Sequence, residues 1–181
     1  MMAEMSLRTF VVYVEDKPGV LNRVASLFRR RNFNIHSLNV GTTHEPGVSR
    51  MTIVVEADAD KARRIEANLY KLVNCLYVDD ITDVDSVNRV LALIKVGVSA
   101  ADRAEVLQIL DVFRARALDV SPTSLIVEVS GSQGKIDGLV TTLRPYGILE
   151  MVQTGTLSMT RGNAARDAGP PTIKAQPTRA A

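Results

Sequence analysis

The sequence predicts an α+β fold that consists of two tandem βαββαβ modules. Apolar residues alternate at strand spacing and recur at helical spacing, in the same order twice along the 181 residues. An acidic stretch at residues 79–85 separates the two copies. Each copy has roughly 75 residues, which is near the lower limit for a stable hydrophobic core.

The first module opens with a strand at residues 7–14, whose apolar residues on both faces predict a strand that is covered on both sides. After Pro18 and Gly19, the spacing of apolar residues predicts a helix that contains Val20, Leu21, Val24, Leu27 and Phe28. Cations in its last turn suit the helix dipole, and Asn32 is a suitable residue to end it.

The remaining elements of the first module are two strands, a helix and a last strand. Residues 34–41 form a strand whose apolar phase slips between Ile35 and Leu38, which predicts a β-bulge. Turn residues at 44–47 lead to a third strand with Met51, Ile53 and Val55. A second helix is predicted from Ala62, Ile65, Leu69 and Leu72. Residues 75–78 form the fourth strand.

The domain organisation follows from these patterns. Residues 6–84 form the first domain, residues 85–89 a linker, residues 90–162 the second domain, and residues 163–181 a disordered tail that lacks periodicity. The predicted elements of the second domain are a strand at 90–96, a helix after a capping box at 99–102, strands ending at Pro122 and spanning 125–129, a helix at 136–143 closed by Gly147, and a last strand at 148–159.

Both domains therefore have the element order of a ferredoxin-like fold, in which an antiparallel sheet carries both helices on one face. The other face of each sheet needs a cover. In the first domain Val11 and Tyr13 predict an apolar open face, and a homodimer is the simplest way to cover it.

Composition argues against several classes of partner. Lys and Arg number 22 against 20 Asp and Glu, a net charge of +2 that is too balanced for nucleic acid or an acidic membrane as the main partner. The single cysteine excludes a disulfide framework. Without a recognisable signal peptide or membrane-spanning apolar stretch, we expect a cytoplasmic protein.

The sequence predicts neither a catalytic site nor a metal site. His36 and His44 lack partners at ligand spacing, and Cys75 lies in an apolar strand without a basic neighbour, which favours a core position. RNA binding by this strand order needs aromatic residues on the central strands, but the chain is only 4% aromatic. The stretch at residues 131–135 lacks the full spacing of a phosphate loop, so a turn with a serine cap is favoured over a nucleotide site.

The connection at residues 15–21 is the segment with the clearest binding chemistry. It joins a buried strand directly to a helix, so the free N–H groups of the first helical turn point into the loop. Pro18 suits the first turn, Gly19 allows a ligand to approach the backbone, and a helix N-terminus attracts a carboxylate. Asp16 supplies a negative group for an ammonium. The loop is complementary to an amino-acid zwitterion, although a plain helix start explains the same residues.

Several segments in the same order resemble a known family. The loop of Asp16, Pro18, Gly19, Val20 and Leu21, followed by Asn34 and Ile35 at the start of the next strand, resembles the ACT domain, a family of amino-acid-binding regulatory modules. Together with segments 31–38, 49–53, 71–73, 91–96 and 119–122, it resembles the small regulatory subunits of acetolactate synthase over residues 7–162. His36 and Val90 depart from that pattern, since relatives often carry Glu at these positions.

The resemblance implies an ACT domain followed by a ferredoxin-like domain, no active site and no cofactor in this chain, and a homodimer formed through the ACT domains. It also implies a large catalytic partner that uses thiamine diphosphate, magnesium and FAD, which the small subunit activates and makes sensitive to valine or another branched-chain amino acid. The implied effector site combines the loop residues of one protomer with Asn34 and Ile35 of the other.

Two further hypotheses remain open from the sequence. The chain could be a stand-alone ACT-type sensor that regulates another enzyme or a transcription factor, or, less in keeping with its residues, a small hydrolase on the same strand order. Within the turn-rich segment 42–50, Arg50 is a weaker candidate for contact with the partner, because surface loops often carry binding.

Overall fold

The computed structural model describes residues 5–162, and these form two antiparallel sheets with helices packed against them. The strands of the first sheet are β1 (Ser6–Glu15), β2 (Ile35–Thr42), β3 (Val48–Ala57) and β4 (Cys75–Asp80), and its helices are α1 (Val20–Arg30) and α2 (Ala59–Leu69). The strand order in this sheet is β2-β3-β1-β4.

The second sheet repeats this arrangement with the order β6-β7-β5-β8, and β9 pairs with β5 outside that path. Its strands are β5 (Ser86–Gly97), β6 (Arg116–Val120), β7 (Ser124–Gly131), β8 (Ile148–Gln153) and β9 (Leu157–Thr160), and its helices are α3 (Arg103–Val112) and α4 (Gln133–Leu143). The predicted α+β fold of two βαββαβ modules is confirmed. The predicted tail at residues 163–181 lies outside the described residues.

The apolar side chains of the first sheet and of its helices α1 and α2 form one core. Phe10, Val12 and Val14 of β1 are almost fully buried against α1 and α2. On the opposite face of the sheet Val11 is also buried, with 3% of its surface exposed. The prediction that β1 is covered on both sides is therefore confirmed. The prediction of an open apolar face is wrong at Val11, because other residues of the same chain already cover it.

Local sequence signals account for the irregular points of the first unit. The register of β2 against β3 shifts between Ile35 and Ser37, which confirms the predicted bulge. Helix α1 ends where Asn32 adopts a positive φ of 55°, and the N–H of Phe33 donates to the carbonyl of Phe28 over 3.0 Å. This six-to-one hydrogen bond satisfies a carbonyl that the last helical turn leaves free.

In the second unit, two serines organise the helix starts. The hydroxyl of Ser99 accepts a hydrogen bond from the N–H of Asp102 over 3.2 Å and donates to its carboxylate over 2.6 Å. Helix α3 follows directly. Ser132 caps α4 by accepting from the N–H of Lys135, so residues 131–135 form the serine-capped turn that the sequence favours.

The structure corrects three predicted boundaries. Residues 85–89 are not a linker, because β5 begins at Ser86 and continues to Gly97. The predicted last strand at residues 148–159 is two strands, with a break at residues 154–156. Helix α2 ends at Leu69, so Leu72 packs against the core from the following turn. In the first two cases pairing between strands that are distant in the sequence, β9 with β5 above all, overrides the local signal.

The compact units differ accordingly from the predicted domains. One unit contains the described residues 5–87 and 158–162, and the other is Asn88–Leu157. Residues 158–162, which the sequence analysis assigned to the second domain, therefore lie in the first unit.

Arg50 lies within β3 instead of in the preceding loop. Its guanidinium donates to the hydroxyl of Tyr13 and to Oγ1 of Thr52, each over 3.2 Å, and to the carbonyl of Ser158. It also lies 5.7 Å from the centre of the Tyr13 ring. These contacts make Arg50 an anchor within the first unit.

Replacing Arg50 should therefore destabilise the protein. Hydrogen bonds of a charged group contribute about 1.5–3 kcal/mol, so we expect Arg50→Ala to lower the free energy of unfolding by about that amount. Arg50→Lys should lower the free energy of unfolding by less, because lysine keeps the positive charge even though it lacks the planar guanidinium. Urea denaturation measures both, with Arg64→Ala on the exposed face of α2 as the control. Equal stability of Arg50→Ala and the control would contradict this role.

Candidate effector-binding site

The loop between β1 and α1 is short and exposed. β1 ends at Glu15 and α1 begins at Val20, and the residues between them are exposed. Gly19 is the N-cap residue of α1 and has a φ of +82°, a left-handed conformation that glycine adopts without strain. A Cβ atom at Gly19 would meet no atom within 4 Å. A ligand therefore has open access to the backbone at this turn.

The N-terminus of α1 is free to bind an anion. No side chain of residues 5–162 caps it, and its first turn contains no acidic residue. The N–H of Val20 donates to the carbonyl of Lys17 over 3.3 Å, whereas the N–H groups of Leu21 and Asn22 have no acceptor among the described residues. Free N–H groups and the positive end of the helix dipole together favour a carboxylate at this position.

Side chains next to the loop hold its two ends. Asn74, in the connection between α2 and β4, donates from Nδ2 to the carboxylate of Glu15 over 2.5 Å and accepts at Oδ1 from Arg23 over 2.7 Å. Its main-chain carbonyl accepts from the N–H of Glu15 over 2.9 Å. Nζ of Lys17 lies 3.0 Å from the Glu15 carboxylate. Asn74 and Arg23 could not be predicted from the sequence, because no local pattern links residues so far apart in the chain.

The predicted loop residues differ in what they present to solvent. Asp16 is exposed, and its N–H donates to the carbonyl of Gly47 over 2.7 Å, which fixes the backbone of the loop. Leu21 exposes 45% of its surface beside the helix N-terminus. Val20 is buried in the core, so its main chain but not its side chain faces the loop. Pro18 is exposed next to Gly19.

Asn34 and Ile35 lie at the other end of the same sheet. Glu15 pairs with Val48 of β3, whereas Ile35 pairs with Val55. These two positions on β3 are seven residues apart, and at about 3.4 Å per residue the two groups are separated by roughly 24 Å along the strand. One chain therefore does not bring the loop together with Asn34 and Ile35.

Asn34 lines a cleft at that end of the sheet, with a volume of about 470 Å³. The walls include Arg31 and Phe33 from the turn after α1 and Lys61 and Arg64 from α2. Three cations thus face one carboxylate, that of Glu56. None of these three cations has an ion-pair partner in the described part of the chain. The surroundings of Asn34 are therefore electropositive, which suits a negatively charged group nearby.

The remaining candidates for a nucleophile or a metal ligand are the single cysteine and the two histidines. Cys75 packs against the first core, and burial raises the pKa of its thiol to about 11, so the thiol stays protonated at neutral pH. His36 and His44 are exposed. Within residues 5–162, no three His, Cys, Asp or Glu side chains are grouped so that they could hold a metal ion. No helix in that range is long and apolar enough to cross a membrane.

Comparison with known proteins finds similarity over both units. A family model described as "AHAS small subunit-like ACT domain" matches residues 10–76, and one described as "Small subunit of acetolactate synthase" matches residues 89–162. The acetolactate synthase small subunit of Mycobacterium bovis is 49% identical over 154 residues, which cover 85% of this chain and 92% of the relative. The probable acetolactate synthase small subunit of Archaeoglobus fulgidus is 48% identical over 155 residues, or 86% and 97% of the two chains.

The fold is also found in a solved structure. The crystal structure of the acetolactate synthase small subunit from Thermotoga maritima superimposes with a TM-score of 0.82 at 35% identity. The match covers 87% of this chain and 99% of that chain. The likeness therefore extends over both modules.

The ionic contacts of the loop predict a pH dependence of stability. The hydrogen bond from Asn74 and the nearby Lys17 hold the pKa of Glu15 below its ordinary value. A lowered pKa stabilises the folded state above the unfolded-state pKa of about 4.3, and this stabilisation is lost as the pH falls through the lower folded-state pKa.

We therefore expect the difference in unfolding free energy between the parent and Glu15→Gln to be largest at neutral pH and to shrink below about pH 4.3. Urea denaturation across this range measures it. Glu56→Gln removes an exposed carboxylate of β3 and controls for the change in net charge. A difference that stays constant between neutral and acidic pH would contradict the expectation.

Proposed function

This chain belongs to the family of acetolactate synthase small subunits, and from that premise we propose that it is the regulatory subunit of an acetolactate synthase in branched-chain amino acid biosynthesis. In this proposal it binds the large catalytic subunit, which carries thiamine diphosphate, magnesium and FAD, and raises its activity. Binding of valine or a related amino acid to the small subunit inhibits the assembly. The family matches over residues 10–76 and 89–162 support this role.

The observation that carries the effector part of the proposal is the uncapped N-terminus of α1 beside an exposed carboxylate. The effector carboxylate accepts hydrogen bonds from the free N–H groups of Leu21 and Asn22. Asp16 lies in the same loop and attracts the ammonium group. Leu21, with 45% of its surface exposed, offers an apolar contact for a branched side chain. Both charges and the apolar part of a branched-chain amino acid thus have a complement.

The distance between the two halves of the site supports a dimer. Asn34 and Ile35 lie at the opposite end of the sheet from the loop, so a second protomer must supply them if they contact the same ligand. β2 is the edge strand of the first sheet next to β3, and its outer backbone groups are available for pairing. A two-fold dimer along β2 would place the start of β2 from one protomer next to the loop of the other.

The proposed contacts give a moderate affinity. Hydrogen bonds to a charged carboxylate contribute about 1.5–3 kcal/mol each, and burying a branched side chain contributes a similar amount. Loss of translational and rotational freedom offsets much of this gain. The net binding free energy is therefore modest, at a level that suits metabolite concentrations. One unfavourable charge at the helix N-terminus is then enough to remove binding.

The proposal makes two predictions, the first of which concerns activity. We expect the purified chain alone to form no acetolactate from pyruvate, even with thiamine diphosphate, magnesium and FAD added, and to raise the turnover of the catalytic subunit when the two are mixed. Co-purification of the two chains distinguishes this role from a stand-alone sensor of another enzyme. Turnover by the isolated chain, or no effect on a co-purified catalytic subunit, would contradict the proposal.

The second prediction concerns Gly19. Gly19→Asp places a like charge next to the effector carboxylate, and at a separation of about 4 Å near a protein surface the repulsion is about 4 kcal/mol. We expect effector affinity to fall at least about 100-fold, so that the holoenzyme stays active but is no longer inhibited. Calorimetric titration with valine, leucine and isoleucine measures the affinity, and inhibition curves measure the sensitivity.

The matched control is Gly19→Asn. Because the φ of +82° disfavours a side chain at this position, both variants lose some stability, but Asn and Asp tolerate the left-handed region best. Asn has the same size as Asp without its charge, so the comparison isolates the electrostatic effect. If Gly19→Asp binds the effector as tightly as Gly19→Asn or the parent, the carboxylate does not lie at this helix N-terminus.

A further inference from the structure

We infer that Asn74 is a positioning residue for the effector loop, which it holds in the binding conformation from the α2–β4 connection. The inference rests on the proposed function of the loop at residues 16–19. Asn74 contacts both sides of that loop, since Glu15 precedes it and Arg23 lies in α1 just after it. It contributes none of the groups proposed to touch the effector.

Both polar atoms of the Asn74 side chain take part in this clamp. Nδ2 donates to Oε2 of Glu15 over 2.5 Å, and Oδ1 accepts from Nη1 of Arg23 over 2.7 Å. The main-chain carbonyl of Asn74 holds the N–H of Glu15 over 2.9 Å. The residue is 8% exposed, so water replaces these partners poorly if they are lost.

The two side-chain contacts require an amide. A carboxylate at position 74 would keep the acceptor for Arg23 but would face the carboxylate of Glu15, and an aliphatic side chain would satisfy neither partner. The charged groups around Glu15 are Lys17, whose Nζ lies at 3.0 Å, and Arg23 across Asn74. The clamp thus sets a carboxylate, an amide and a guanidinium in a fixed order across the base of the loop.

The clamp acts on affinity through the population of the binding conformation. The loop between Glu15 and Val20 contains Gly19, and its side chains are exposed, so hydrogen bonds at its two ends restrict it. Apparent affinity falls in proportion to the fraction of molecules in which the loop and the helix N-terminus are correctly placed. Loss of the clamp should therefore weaken effector binding without removing any effector contact.

The test exchanges the amide and the carboxylate. Asn74→Asp should weaken valine binding by the full chain at least about tenfold, which corresponds to one charge-assisted hydrogen bond. In the double variant Glu15→Gln/Asn74→Asp, the amide at position 15 can donate to the carboxylate at position 74, which still accepts from Arg23. We expect the double variant to bind valine as tightly as Glu15→Gln alone. A purely structural role for Asn74 would not predict this rescue.

Ser124→Asp is the control. Ser124 is 9% exposed and lies in the second unit, where its Oγ is 2.8 Å from Oγ of Ser121. We expect it to lower thermal stability but to leave valine affinity within about twofold of the parent. Amide hydrogen exchange gives a readout that needs no effector. Asn74→Asp should accelerate exchange at the hydrogen-bonded amides of Asp16, Lys17 and Val20, and the double variant should restore their protection.

The outcomes separate the inference from the proposed function. If the parent binds no branched-chain amino acid while exchange at Asp16, Lys17 and Val20 responds as described, the clamp stands and the effector proposal fails. If the parent binds valine and Asn74→Asp binds it equally well, the inference is wrong. It is also wrong if Ser124→Asp weakens binding as much as Asn74→Asp, or if the double variant is not rescued.

Discussion

Between the last residue of β1 and the first residue of α1 the chain has only four residues, and it turns sharply there because Gly19 adopts a φ of +82°. This left-handed backbone allows α1 to start immediately beyond the sheet and to pack back over it. Val20 and Val24 consequently reach the core against Phe10 and Val12. The same turn leaves the helix N-terminus uncapped, so one backbone conformation serves both packing and the candidate site.

The candidate site combines a backbone held by hydrogen bonds with side chains that are exposed to solvent. Its backbone is fixed by hydrogen bonds from Asp16 to Gly47 and from Glu15 to Asn74, whereas the side chains of residues 16–19 stay exposed. A rigid backbone with free N–H groups lowers the entropic cost of binding a small zwitterion. Because Asn34 and Ile35 lie at the far end of the sheet, the complete site requires a second chain in the proposed function, which couples effector binding to assembly.

Local patterns were informative wherever a residue's role depends on its neighbours in the chain. The periodicity of β1 and α1, the bulge after Ile35, the helix end at Asn32 and the serine cap at Ser132 all follow from nearby residues, and the structure confirms them. The loop from Asp16 to Leu21 could be chosen as a candidate site for the same reason. Arg50 was misplaced because its partners Tyr13 and Ser158 are remote in sequence.

The sequence by itself determined the α+β class, the repeat of the βαββαβ order and the presence of a glycine turn at a helix start, since backbone propensity and apolar spacing act over a few residues. Only the tertiary structure decided that β5 starts within the predicted linker, at Ser86, and pairs with β9, that the side chain of Val20 belongs to the core, and that Asn74 bridges Glu15 and Arg23. These features depend on which surfaces meet after the chain folds, because hydrogen bonds and burial between distant segments have no local signature.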